Sequence, residues 1–458
     1  MTTFDAIIIG FGKGGKTLAV ELSNHNWKVA VIERSNKMYG GTCINIACIP
    51  TKFLAHRAKQ EQVKEVQDPK VRLALYDQAI QEKDELTAFL RQKNYNNLAQ
   101  HENIQVFEGT ASFVSDHEVQ VTSDKETTVL SAPQIFINTG AETIIPNIPG
   151  ARESQHVYTS TSIMDLKKLP KKLVIIGGGY IGLEFASIYR QFGSEVTILE
   201  GGSKFITRED RDVADAVYDV LSKKGIDLIL NAKVIGLQDA QEGIILSYEV
   251  SGNAIELHVD AVLLATGRKP NVNGLNLEAA GVKLDERGAI QVDVHLRTSV
   301  SHIWALGDVK GGPQFTYISL DDYRIVKDDL FGNGTRRTED RNNVPYSVFI
   351  DPPLSRVGLS EEEARQKKYN IKVAKLPAAT IPRARLIQET DGFLKAIVDA
   401  DTNKILGATL FCAESSEVIN MVSMAIQMEQ PYTFLRDHIF THPTMSEALN
   451  DLFSQIKA

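Results

Sequence analysis

The chain has 458 residues, 43% of them hydrophobic and 24% charged, with 32 glycines. That is the balance of a soluble globular protein, too long for one ordinary core and long enough for two to four domains. Its 58 acidic and 50 basic side chains leave a net charge of −8, which argues against nucleic acid or an anionic membrane as partner, and no apolar run reaches the roughly 18 residues a membrane helix needs.

The opening "MTTFDAIIIGFG" does not read as a signal peptide, because Asp5 replaces a basic leader and the apolar run passes straight into a glycine motif. A cytoplasmic protein is the expectation, and three cysteines are too few for a disulfide framework. Ala6 to Ile9 predicts a buried strand, followed by Gly10, Gly12 and Gly15 as G-x-G-x-x-G, a helical stretch, and a second strand from Val29 that ends at Glu33. Glycines let the backbone approach a pyrophosphate at a helix N-terminus, and the acid suits ribose hydroxyls, so this is a dinucleotide site. Two cysteines then stand in "YGGTCINIACIPTKFLAH", Cys43 and Cys48, just before a helix-like run. Such a pair reads as two small buried hydrophobes, as redox thiols or as metal ligands.

Further along, "IFINTG" runs a strand into Gly140. "KKLVIIGGGYIGLEFASIYRQFGSEVTILE" repeats the first fingerprint with Gly177, Gly179 and Gly182, and its second strand ends at Glu200. "AVLLATGRKPN" again brings a strand to a glycine, Gly267, where a chain crossing between domains is expected. "SHIWALGDVKGGPQ" presents Gly307 and Asp308 at a strand end. A polar link over 331–343 precedes "VPYSVFIDPPLSRVGLSEEEA", which predicts a strand, a proline-rich turn, a second strand and a Ser-capped helix. Cys412 reads as a buried strand residue and His438 as structural, while His442 and Glu447 share "HPTMSE".

This ordered set, spanning the whole chain, resembles the pyridine nucleotide–disulfide oxidoreductases, flavin enzymes that include glutathione reductase, lipoamide dehydrogenase and mercuric reductase. The resemblance implies an α/β fold of two Rossmann-like dinucleotide-binding domains, for FAD and NAD, plus an α+β C-terminal dimerisation domain. It places a discontinuous FAD domain at 1–150 and 268–335, the NAD(P)H domain at 151–267 and the interface domain at 344–458. FAD would lie on the first fingerprint and Asp308, and NADH, with NADPH as the alternative, on the second. Cys43 and Cys48 would form a redox disulfide, Cys43 exchanging with substrate and Cys48 facing the flavin. Since residues five apart in a regular helix rise by about 7.5 Å, beyond the disulfide limit of roughly 7 Å, Cys43 must lie ahead of the helix or the first turn must be distorted. Lys52 would pair with Glu184 at the flavin, and His442, oriented by Glu447, would serve as acid and base from the other subunit of a homodimer.

Within the family, "REDRDVAD", "IPRAR" and "FTHPTMSEALNDLF" are most similar to the bacterial branch that resists reactive chlorine, which implies reduction of Cu(II) to Cu(I), with copper held transiently by Cys43 and Cys48. A disulfide reductase or a mercuric reductase is the alternative acceptor class, although the tail "LFSQIKA" lacks the extra cysteine pair usual in the latter. Different-class readings are a non-catalytic redox-sensing flavoprotein and a plain NADH oxidase, which leaves the cysteines unexplained. One departure from many relatives is Ala47, where they place glycine.

Overall fold

The computed structural model describes residues 2–62 and 68–457. Positions 1 and 458, the outer limits of the expected first and last domains, lie outside the described residues.

The run Ala6–Ile9 is fully buried because it lies inside a parallel sheet covered on both faces. Ile7 and Ile9 enter one apolar cluster, and Ala6 and Ile8 enter another on the opposite face, as the two-residue period of a strand requires. The sheet has five strands in the order Ile303–Ala305, Gln134–Ile137, Ala6–Ile9, Val29–Glu33 and Ile104–Glu108. One edge strand therefore comes from far down the chain, after a second unit has been completed.

That second unit repeats the plan, with parallel strands in the order Val157–Thr159, Ala261–Leu264, Lys172–Ile176, Glu195–Leu199 and Ile226–Ile229. The chain reaches it through Ala141–Thr143 and returns through Arg268–Pro270, and these two segments pair antiparallel. The third unit is an antiparallel five-stranded sheet packed against Ser415–Gln427 and Ala448–Ser454. The fold is thus α/β with two Rossmann-like units and an α+β C-terminal unit. No helix of the described residues is long and apolar enough to cross a membrane.

The helix Cys48–Gln62 is what positions the site. Its Leu54 and Ala58 share an apolar cluster with Leu183 and Ala186 of the helix Tyr180–Phe192, so it lies wedged between the first two units. Its charged side is pinned too: Lys59 reaches Asp351 at 3.1 Å and Glu389 at 2.7 Å in the third unit.

Candidate active site

Gly40 and Gly41 turn the chain at φ 96° and 80°, a region only glycine enters without strain. A Cβ at Gly41 would stand 2.7 Å from the Gly12 Cα, so this turn also lies directly on the first fingerprint. A short helix, Thr42–Asn45, carries Cys43, and Ile46 at φ −141° interrupts it before the long helix starts at Cys48. The Asn45 amide ties the turn back to the Tyr39 and Gly41 carbonyls at 3.0 and 2.9 Å. Cys43 lies ahead of the regular helix, the first of the two arrangements that a disulfide between residues five apart allows. Ala47 is not among the residues with positive φ, so its methyl costs no backbone strain there.

Both thiols are free and half-buried, and they interact directly. The hydrogen bond from Cys43 pulls the Cys48 thiol down to about 6, helped by the Thr316 hydroxyl at 3.5 Å and by the Lys52 charge. Cys43 moves the other way: its bond to Cys48 and its burial push it up. Two helix starts meet at the Cys48 sulfur, its own and that of Thr316–Phe331, and both favour a thiolate. Lys52 lies one turn on and reaches Glu184 at 2.7 Å, while the other Glu184 oxygen accepts the Phe349 amide at 2.9 Å.

These groups line a cavity of about 1060 Å³ together with Gly10, Gly12, Glu33, Gly140 and Asp308. Glu33 is buried, which raises its carboxyl, and it accepts the Phe11 amide at 3.1 Å. Asp308 is raised by burial as well, against the opposing charges of Arg268 and Lys310. Gly15 and Gly307 stand behind the wall: Gly15 donates to the Asn138 side chain at 2.9 Å and Gly307 to Asp322 at 2.6 Å.

The second fingerprint lies outside this cavity. The Glu200 carboxylate accepts Gly178 and Gly202 amides, each at 2.8 Å, and so stands beside the glycine turn. At Gly182 a Cβ would come within 2.2 Å of the Gly177 carbonyl, the close helix-to-strand approach that this glycine serves, and Gly267 accepts the Ile144 amide at 3.0 Å at the crossing. Gly179 caps the helix with no side-chain hydrogen bond and nothing within 4 Å of its Cβ position, which leaves the first-turn amides open to an anion.

His442 and Glu447 are not brought to the cysteines within one chain. They pair with each other at 2.8 Å, and the imidazole is 70% exposed. His438 packs on Phe440 at 4.7 Å, in keeping with a structural part. Cys412 stands just past the strand Ile405–Phe411, 1% exposed, and burial pushes its thiol up to about 12.

Thr316, Asn138 and Phe349 escaped sequence reasoning. No motif marks the first and third, whereas "IFINTG" already placed Asn138 at a strand end. Among the described residues Asp116, His117 and His302 also bring ligating atoms within 4.8 Å of one another. Their imidazoles stack at 4.0 Å and 7°, so the in-plane lone pairs run parallel, and His302 Nε2 already meets the Asp116 carbonyl at 3.0 Å. That arrangement packs one turn against another and does not converge on an ion.

Residues 4–322 match the family described as pyridine nucleotide-disulphide oxidoreductase, and residues 344–453 match its dimerisation domain. The chain is 52% identical over 457 residues to the probable pyridine nucleotide-disulfide oxidoreductase RclA of Escherichia coli strain K12, with 100% of each chain covered. It is 33% identical to a mercuric reductase of Staphylococcus aureus, over 97% of this chain and 81% of that one. Among solved structures, the Cu(II) complex of the HOCl-induced flavoprotein disulfide reductase RclA from Escherichia coli matches with a TM-score of 0.94 at 52% identity, covering 100% of both chains. The chain therefore belongs to the pyridine nucleotide-disulphide oxidoreductase family.

Proposed function

We propose that this protein is a cytoplasmic, homodimeric, NADH-dependent flavoprotein that reduces Cu(II) to Cu(I) through Cys43 and Cys48 in defence against reactive chlorine. The observation that carries the reading is the free thiol pair at the cavity, with Cys48 drawn down to about 6 beside Lys52. The relative solved as a Cu(II) complex supports the choice of acceptor.

The cavity suits FAD. Gly12 and Lys13 line the cavity and bring the start of the helix Lys13–Asn24 to a pyrophosphate, while the Gly14 and Gly15 amides just behind are held by Ser319 and Asn138, and Glu33 and Asp308 offer acceptors for the cofactor's hydroxyls. Bound there, FAD would relay electrons from the nicotinamide to the cysteine pair. Gly177, Gly179, Gly182 and Glu200 would hold the nucleotide, with Glu200 favouring NADH by repelling a 2′-phosphate. The assignment divides the chain into 1–150 with 268–335, then 151–267, then 344–458.

Cys43 is the thiol that meets the acceptor, and Cys48 is the thiolate turned inward. Thiolates favour Cu(I) over Cu(II), so coordination itself pulls the metal toward reduction. On coordinating Cu(II) the Cys43 thiol gives its proton to solvent; the two thiolates then give one electron each to two Cu(II) ions and close as a disulfide, releasing two Cu(I). NADH then delivers a hydride equivalent that reopens the disulfide as one thiol and one thiolate, leaving NAD+. The second reading is a disulfide acceptor, favoured by the 2.8 Å pair of His442 and Glu447, a proton donor for a leaving thiol. In a homodimer that pair would serve the cysteines of the partner.

The test is a turnover panel with NADH against Cu(II), Hg(II), glutathione disulfide, lipoamide and oxygen. Cu(II) is expected to be fastest, and a faster disulfide would move the assignment to the second reading.

A further inference from the structure

Glu209 has a side chain with 0% exposure, in the bend before the helix Arg211–Lys223. A charge buried that far persists only with partners. Its Oε1 accepts the hydroxyl of Tyr180 at 2.5 Å and that of Tyr346, and the two hydroxyls are 3.3 Å apart. Its Oε2 has no hydrogen bond among the described residues and faces Arg356 Nη1 at 3.8 Å. Arg356 in turn donates to the Arg208 carbonyl at 2.6 Å and pairs with Glu363. One buried acceptor thus ties the second unit, through Tyr180, to the third, through Tyr346 and Arg356.

The place of Tyr180 gives this tie a use. It opens the helix that follows the second fingerprint, with Glu184 one turn further on the same side. Tyr180, Tyr346 and Phe315 line the cavity, whereas the fingerprint glycines do not. Their rings form a run of near-parallel planes, Tyr180 to Tyr346 at 5.7 Å and 28° and Tyr346 to Phe315 at 6.3 Å and 10°. Tyr180 follows directly on Gly179, where the pyrophosphate would lie, and shares the cavity lining with Lys52 and Glu184, so a nicotinamide entering from the second fingerprint would meet these rings.

We infer that Glu209 is a positioning residue for the pyridine nucleotide, holding Tyr180 and Tyr346 as a fixed aromatic wall at the nicotinamide end of the cavity. This rests on the proposed assignment of that site to NADH. A wall already fixed in place spares the nucleotide the cost of ordering it on binding.

The test is anaerobic stopped-flow reduction of the bound flavin by NADH in the holoenzyme, as a function of NADH concentration. Glu209→Leu should raise the half-saturating concentration by about threefold to tenfold while the limiting rate stays within about twofold, because what is lost is the ordering of two side chains. Glu209→Gln keeps an acceptor and should stay near wild type. Tyr180→Phe keeps the ring but not the bond and should shift in the same direction. The double variant Glu209→Leu/Tyr180→Phe should be no worse than the larger single, since both remove one interaction. A purely structural part would lower Tm and leave half-saturation alone. Wild-type half-saturation in Glu209→Leu or in Tyr180→Phe overturns the inference, and Tyr180→Phe decides alone if Glu209→Leu does not fold. Wild-type flavin that NADH does not reduce would instead reject the NADH assignment itself.

Discussion

Cys43 and Cys48 carry the same thiol, yet their surroundings separate them. Cys48 heads a helix, receives the Cys43 hydrogen bond and lies near Lys52, and its thiol falls to about 6. The thiolate is therefore the form present above that pH, and it is lost as pH falls through it. In the reduced holoenzyme, a long-wavelength absorption band from a Cys48 thiolate facing the flavin should titrate with a midpoint near 6. Cys48→Ser should abolish the band, and Lys52→Met should move its midpoint upward. Identical bands in Cys43→Ser and Cys48→Ser would exchange or dissolve these roles. Glu200 invites a separate check, since one of its oxygens accepts the Gly178 amide of the glycine turn and the other that of Gly202. Glu200→Arg should move the ratio of kcat/KM from NADH toward NADPH, and an unchanged ratio would remove Glu200 from nucleotide choice.

The elements show why some of the site was legible and some was not. Glycine fingerprints and the C-x4-C pair were readable because their constraint is local: backbone contact admits only glycine, and the disulfide that the family resemblance implies does not fit a regular helix at that spacing. Gly41→Ala should give a folded protein that retains little flavin, measured as visible absorbance per chain, because its methyl would meet the Gly12 Cα at 2.7 Å. Thr316, Phe349 and Glu209 were not readable, since each acts through partners distant in sequence. Lys395 belongs to the same class. It sits in the strand Phe393–Asp399, 1% exposed, and binds Asp210 at 2.9 Å, Asp212 at 3.1 Å and Glu361 at 2.8 Å. Asp210 also accepts two amides from the first turn of the helix Glu361–Gln366, so this cluster bolts the second unit to the third. Lys395→Ala should cost about 3 kcal/mol in denaturant unfolding by stranding the buried Asp210 carboxylate, the Asp212 and Glu361 carboxylates being partly exposed, and a change below about 1 kcal/mol would make the bolt ornamental.

At the scale of the whole molecule, the order of motifs conveyed the plan of two nucleotide-binding units and a third, because a duplicated fingerprint is visible in one dimension. The packing of the cysteine helix between units was not, since it depends on which apolar faces meet. The third unit, which matches the dimerisation domain, leaves Ile439 92%, Met424 60% and Met428 51% exposed, apolar side chains that a second copy would cover. Sedimentation should accordingly give a dimer. His442→Ala should lower disulfide turnover by about a hundredfold or more, the scale of lost general acid catalysis, and leave Cu(II) turnover nearly intact because a metal ion needs no proton. Equal losses for both acceptors would show that the histidine acts on neither leaving thiol. The most direct test of the central claim is NADH-driven formation of Cu(I), trapped by a Cu(I) chelator under anaerobic conditions with a no-enzyme control, in wild type and in the Cys43→Ala and Cys48→Ala holoenzymes. Rapid Cu(I) formation by wild type and its loss in both variants is the result expected of a thiol mechanism. Full-rate formation by both variants would contradict it and leave the flavin as the direct reductant.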